Sequence, residues 1–155
     1  MIEKIVSGGQ TGADRAGLDA AIACGIPHGG WCPKGRKAED GPIPDEYQLT
    51  ETTSASYLVR TERNVKESCG TVIFTMGPLT GGSLRTADFA KKHGKPWLHF
   101  QLSKKDATAE KLREFAAEHS IKVLNVAGSR ASKEPQIYRR AMLCLTVAWC
   151  PESHG

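Results

Sequence analysis

Four short runs of apolar and β-forming residues constrain this chain most: Ile2 to Ser7, Thr71 to Thr75, Pro96 to Phe100 and Lys122 to Val126. Each is continuous in hydrophobicity rather than alternating, the pattern of parallel strands covered on both faces. Helix-length segments lie between them. Ala13 to Cys24 carries Leu18 and Ile22 at helical spacing and stops at Gly25. A segment from about Ser56 to Ser68 carries Leu58 and Val65, and Gly70 ends it. Leu84 to His93 is halted by Gly94, and Thr108 to His119 sets Leu112, Phe115 and Ala116 on one face. Pro135 opens a last helix, where a proline in the first turn loses no bond. Ile137, Ala141, Leu145 and Ala148 run down one side of that helix. Strands alternating with helices predict an α/β fold, a Rossmann-like, open and mostly parallel sheet with helices on both faces. A single domain over residues 1–155 is expected, with a long irregular excursion from Gly29 to Thr53 of the kind that more often serves function than filler.

Composition narrows the partners. With 155 residues, 39% apolar and 25% charged, the chain has the make-up of an ordinary globular protein with a real core. No apolar run approaches the roughly 20 residues that cross a bilayer. Gly8 and Gly9 break the N-terminal apolar segment too early for a secretory signal, so a cytoplasmic protein with no membrane contact is expected. The five cysteines, Cys24, Cys32, Cys69, Cys144 and Cys150, are odd in number and form no C-x-x-C pair. That pattern predicts idle thiols, with neither a disulfide framework nor a zinc site. The net charge of +4 is mild, with one basic cluster at Lys34, Arg36 and Lys37, and aromatics are only 6%. Both favour a small anionic ligand over a nucleic-acid polymer.

Strand exits carry the chemistry, because ligands of open parallel sheets sit beyond the carboxyl ends of the strands. Three exits are glycine-rich: Gly8-Gly9-Gln10-Thr11-Gly12-Ala13-Asp14, Met76-Gly77-Pro78-Leu79-Thr80-Gly81-Gly82-Ser83, and Ala127-Gly128-Ser129-Arg130. Bare backbone before a helix makes an anion cradle, most often for phosphate. Thr11 and Asp14 also have capping-box spacing for the first helix. Gly77 to Gly82 has Walker spacing, but Ser83 stands where the lysine belongs, and Gly8, Gly9 and Gly12 do not make a dinucleotide fingerprint, so no NAD is expected. Lys34 and Arg36 could neutralise phosphate oxygens while Glu39 and Asp40 accept from hydroxyl or amino groups. Arg60 and Asn64, four apart, share a helix face that could reach the crevice. No nucleophile elbow or H-E-x-x-H site is present, and no catalytic or metal-binding residue is assigned; Asp14, Glu39 and Asp40 are the acids placed to act as a base or to orient an amine.

The blocks GGQTGADRAGLDAA, GWCPKGRKAEDGPIP, RTERNV, GTVIF, LTGGSLRT, HGKPWL and LNVAGSR, spread from about Ile5 to Tyr138, resemble the molybdenum carrier family, also described as circularly permuted YpsA-like. The resemblance implies a Rossmann-like fold within the wider group that includes lysine-decarboxylase-like and Lonely Guy proteins, whose members bind nucleotides or related phosphorylated ligands. A relative of plant type carries molybdenum cofactor, a pterin with a phosphate tail. Carried onto this chain, the phosphate contacts are Gly9, Gln10, Thr11 and Gly12 with Gly81, Gly82, Ser83 and Thr86, and Lys34, Gly35, Arg36, Glu39 and Asp40 complete the pocket. The expected ligand is molybdenum cofactor or a nucleotide, held by a homo-oligomer, since related folds commonly pair through helices. Phosphoribohydrolase relatives have a P-G-G-x-G-T-x-x-E loop; here Leu79 to Asp88 offers no glutamate at the matching place, with Asp88 the nearest acid, which counts against that activity. Cys69 stands where the family pattern has an acid.

Overall fold

The computed structural model describes residues 1–151. In chain order, β1 (Lys4–Val6) leads to helix α1 (Ala13–Cys24) and β2 (His28–Gly29). The excursion carries β3 (Trp31–Cys32), β4 (Lys37–Ala38), β5 (Gly41–Pro42) and β6 (Thr50–Glu51). Then follow α2 (Tyr57–Glu67), β7 (Gly70–Thr75), α3 (Gly81–Lys92), β8 (Trp97–Gln101), α4 (Ala109–Glu118), β9 (Val123–Gly128) and α5 (Ile137–Trp149). The main sheet runs β2-β1-β9-β7-β8 with every neighbouring pair parallel. If β9 and α5 were moved ahead of β1, the strands would read 3-2-1-4-5, the strand order of a doubly wound nucleotide-binding sheet. The chain therefore builds an α/β, Rossmann-like sheet whose first strand and helix come last.

Alternation along the strands decides which helices cover which face. Val72, Phe74, Leu124 and Val126 join one core with Ala13, Ala16, Ala20 and Ala21 of α1, Leu112 and Phe115 of α4, and Ile137, Ala141 and Leu145 of α5. Phe74 meets Phe100 edge-on at 5.5 Å, and burying each ring contributes roughly 1.5–3 kcal/mol. Helices α2 and α3 pack together over the opposite face. That face is more polar: Asn125 donates to Thr71 Oγ1 at 3.2 Å between adjacent strands, both residues fully covered.

Several local expectations are corrected. Ile22 is 48% exposed, because α1 lies against the sheet and α5 through its alanines. Leu18 turns to a second small core with Cys32, Ala38, Ile43 and Tyr47. The excursion is thus folded around its own apolar centre rather than irregular, with β3 parallel to β6 and β4 antiparallel to β5. Helix α3 starts at Gly81, ahead of the expected Leu84, because Ser83 Oγ accepts from the Thr80 N–H at 3.1 Å and closes the first turn. Pro135 precedes the N-cap Gln136 instead of occupying the first turn. Thr11 and Asp14 form no capping box: the N-cap is Gly12, and no side chain caps it.

The cysteine reading is also overturned. Cys24 and Cys150 form a disulfide with S–S 2.08 Å, across 126 residues of sequence. Cys24 ends α1 and Cys150 caps α5, and the two helices pack side by side. Cys32 and Cys144 are buried thiols and Cys69 is an exposed one. Among the described residues no helix is long and apolar enough to cross a membrane.

Candidate functional site

A cleft of about 340 Å³ opens beyond the carboxyl ends of β9 and β7. This is the point where connections part, β9 leading to α5 on one face and β7 to α3 on the other, and where such sheets place ligands. Of the residues singled out from sequence, Gly8, Gln10, Asp14, Arg60, Asn64, Thr80, Gly81, Gly82, Ser83 and Thr86 line the cleft. Gly9, Thr11, Gly12, Lys34, Gly35, Arg36, Glu39, Asp40 and Gly77 do not.

The first glycine turn is closed on itself. The Gly9 N–H donates to Ser7 Oγ at 3.2 Å and the Gln10 N–H to Asp14 Oδ2 at 3.2 Å. The Thr11 N–H donates to Gln10 Oε1 at 3.0 Å, and the Ala13 N–H to the Ser129 carbonyl at 3.0 Å. Gly12 has φ 81°, and a methyl group there would lie 2.4 Å from Ser129 O and 2.9 Å from Ala131 N. Its bareness lets two strand exits touch. Gly9, Gln10 and Thr11 thus spend their N–H groups within the chain, and the backbone of Ser129 to Ala131 fills the space beside Gly12, which leaves little of the expected amide cradle in this turn.

The second turn is open. A methyl group at Gly77 or Gly82 would meet nothing within 4 Å, and at Gly81 only Lys133 Nζ at 4.0 Å. Gly81 and Gly82 begin α3, where N–H groups lack intrahelical acceptors and the helix dipole is positive. Lys133 Nζ donates to Thr80 Oγ1 at this same end and has no carboxylate partner among the described residues. An ammonium at the positive end of a helix is electrostatically misplaced unless an anion joins them. The hydroxyls of Ser83 and Thr86 bond back to the carbonyls of Thr80 and Gly82, at 2.7 and 2.9 Å.

Deeper in the cleft lie Arg60 and Asp14, with relative exposures of 8% and 5%. The Arg60 side chain lies flat on Gly8, where a methyl group would come 2.4 Å from Nε. Its Nη1 donates to Thr61 Oγ1 at 2.6 Å, its Nη2 stays 3.8 Å from Asp14 Oδ2, and Nε has no partner. Burial pushes the Asp14 carboxyl up, and Arg60 and the Gln10 N–H only partly oppose it. Asn64 lines the wall but its amide is committed: Oδ1 accepts from Trp31 N at 2.8 Å and Nδ2 donates to Trp31 O at 2.9 Å, fixing β3 to α2.

The basic excursion serves as a buttress. Arg36 donates to the carbonyls of Ile43, Pro44 and Tyr47 at 3.1, 2.8 and 2.9 Å. Asp40 takes both ends of Arg15 at 2.6 and 2.8 Å, which holds its carboxyl below the ordinary range. The Gly35 N–H donates to Glu51 at 2.6 Å, and the exposed Lys34 donates its backbone N–H to Ser54 at 2.9 Å. Glu39 accepts from Ser132 Oγ at 2.5 Å and from Thr11 Oγ1, and lies 3.8 Å from Arg130. Burial raises its carboxyl, but the Ser132 and Thr11 bonds together bring it below the ordinary range.

Sequence reasoning missed Lys133, Tyr57 and Glu134. Glu134 receives Ser129 Oγ at 2.5 Å on one oxygen and the Met76 N–H at 2.6 Å on the other, so it ties the exits of β9 and β7 together. The signal available was the polar, doubly basic link from Ser129 to Glu134 between a strand exit and the next helix.

The family described as "Circularly permutated YpsA SLOG family" matches residues 5–149. A solved structure from Syntrophus aciditrophicus SB, called "Putative molybdenum carrier protein", is 47% identical, covers 97% of this chain and 96% of its own, and superposes with a TM-score of 0.90. No curated protein matches.

Proposed function

This chain belongs to the circularly permuted YpsA SLOG family, and from that premise we propose that it is a binding or carrier protein for a phosphorylated small molecule, molybdenum cofactor or a nucleotide. The observation that carries the reading is Lys133 held at the open N-terminus of α3 with no carboxylate partner among the described residues. A phosphate between them would accept from the Gly81 and Gly82 N–H groups and from the Lys133 ammonium, with Arg130 at the margin. The name borne by the similar Syntrophus structure adds support for a molybdenum-related cargo. Among the described residues no three His, Cys, Asp or Glu side chains converge.

Hydrolysis of an N-glycosidic bond receives less support. Asp88 is exposed on α3 outside the cleft, and Asp14 is the only acid among the lining residues. Equilibrium dialysis against AMP, GMP and molybdenum cofactor tests the carrier reading. Saturable binding of at least one is expected, with no free base in the dialysate; absence of binding by all three at millimolar concentration would refute it.

A further inference from the structure

The inner end of the cleft has hydrogen-bonding capacity that the chain leaves unused. Arg60 makes one side-chain hydrogen bond, through Nη1; among the described residues its Nη2 and its buried Nε have none, whereas donors at buried side chains in native proteins are nearly always satisfied. Asp14 uses one oxygen, Oδ2, for the Gln10 N–H, and among the described residues no hydrogen-bond donor pairs with Oδ1. The two side chains form an ion pair at 3.8 Å, too long for a hydrogen bond between them. Gln10 and Asn64, beside them, have spent their carbonyl oxygens on backbone N–H groups. Tyr57 and the 39%-exposed Leu58 supply an aromatic and an aliphatic surface on the same wall.

We propose that Asp14 and Arg60 read the edge of a nitrogen heterocycle that presents a ring carbonyl beside a ring N–H, as the lactam edge of guanine, hypoxanthine or a pterin does. Arg60 Nη2, which makes no hydrogen bond among the described residues, donates to the carbonyl and Asp14 Oδ1 accepts from the N–H, so unused groups on the two sides of the 3.8 Å gap are satisfied by one planar ligand. Tyr57 and Leu58 offer an apolar surface to one of its faces. This rests on the phosphate seat proposed above and adds the chemical class of what the phosphate carries.

Calorimetric titration of GMP and of ribose 5-phosphate into the wild-type chain and Asp14→Asn tests it. Asparagine keeps an oxygen for the Gln10 N–H and turns an NH₂ toward the cleft, converting the acceptor into a donor. GMP should bind the wild type about tenfold tighter than ribose 5-phosphate, or better. Asp14→Asn should lose that advantage while binding ribose 5-phosphate no more weakly, since a negative charge has been removed. Equal affinities in the wild type, or an undiminished preference in Asp14→Asn, would overturn the proposal and leave the phosphate seat standing. If neither compound binds, the phosphate seat fails, and this proposal with it.

Discussion

Replacing Gly12 with alanine puts a methyl group 2.4 Å from the Ser129 carbonyl oxygen and 2.9 Å from the Ala131 nitrogen, at a residue whose φ is 81°. Both near atoms are backbone, so neither can rotate away. Backbone at φ 81° and ψ −127°, outside the left-handed helical well, costs a non-glycine residue about 1–3 kcal/mol, and forced overpacking costs about 1–3 kcal/mol. Reduced unfolded-state entropy returns about 0.4–1 kcal/mol. The net loss is roughly 1–6 kcal/mol, or a fall in Tm of about 2–24 °C for a chain of this size. Gly82→Ala is the matched control: it meets nothing within 4 Å and opens α3, so stability should hold or rise by up to about 1 kcal/mol. Urea denaturation of the two variants, compared at unchanged m, reads the difference. Equal midpoints for Gly12→Ala and wild type would refute the claim that this glycine exists to pack two strand exits together. A loss in Gly82→Ala as large as in Gly12→Ala would refute the claim that the second turn is open.

Other consequences are accessible to simple assays. Lys133→Met should weaken phosphate-ester binding about tenfold and flatten its salt dependence, with little change in Tm because residue 133 is exposed; unchanged affinity in dialysis would remove Lys133 from the site. Titration of the unfolded, unreduced chain should find three free thiols of the five cysteines, and Cys24→Ser should cost up to about 5 kcal/mol in denaturant unfolding. Five free thiols before reduction would contradict the disulfide. Asp14 has its folded pKa raised, chiefly by burial, so its ionisation favours the unfolded chain and stability declines as pH rises from the unfolded value through the folded one. Asp14→Asn should therefore be more stable than wild type at neutral pH, with the gain vanishing at acid pH; a gain that persists there would point to another cause.

The sheet was legible because continuous apolar runs such as Thr71 to Thr75 admit few alternatives to buried parallel strands. Its strand order was not, since register and neighbours depend on contacts such as Ile5 with Leu124 that no local pattern announces. Glycine was read as one signal, yet it had two meanings: Gly12 gives close approach between chain segments, whereas Gly82 leaves space empty. Distinguishing them needs the neighbours, and Ser129 is 117 positions away from Gly12, by subtraction of the residue numbers. The basic excursion misled for a related reason. Arg36 sits where three carbonyls of its own loop converge, so a residue typical of anion sites became an internal tie. Arg60 shows the reverse, because its place on a helix face with Asn64 was readable and its unpaired Nε was not.

Amide chemical shifts of the glycines test the central claim most directly. In a titration of the ¹⁵N-labelled protein with GMP, the Gly81 and Gly82 N–H signals should move most and saturate together, while those of Gly9 and Gly12 stay nearly still. Saturating shifts at Gly9, Thr11 and Gly12 with Gly81 and Gly82 unmoved would contradict it, and would return the phosphate seat to the first turn.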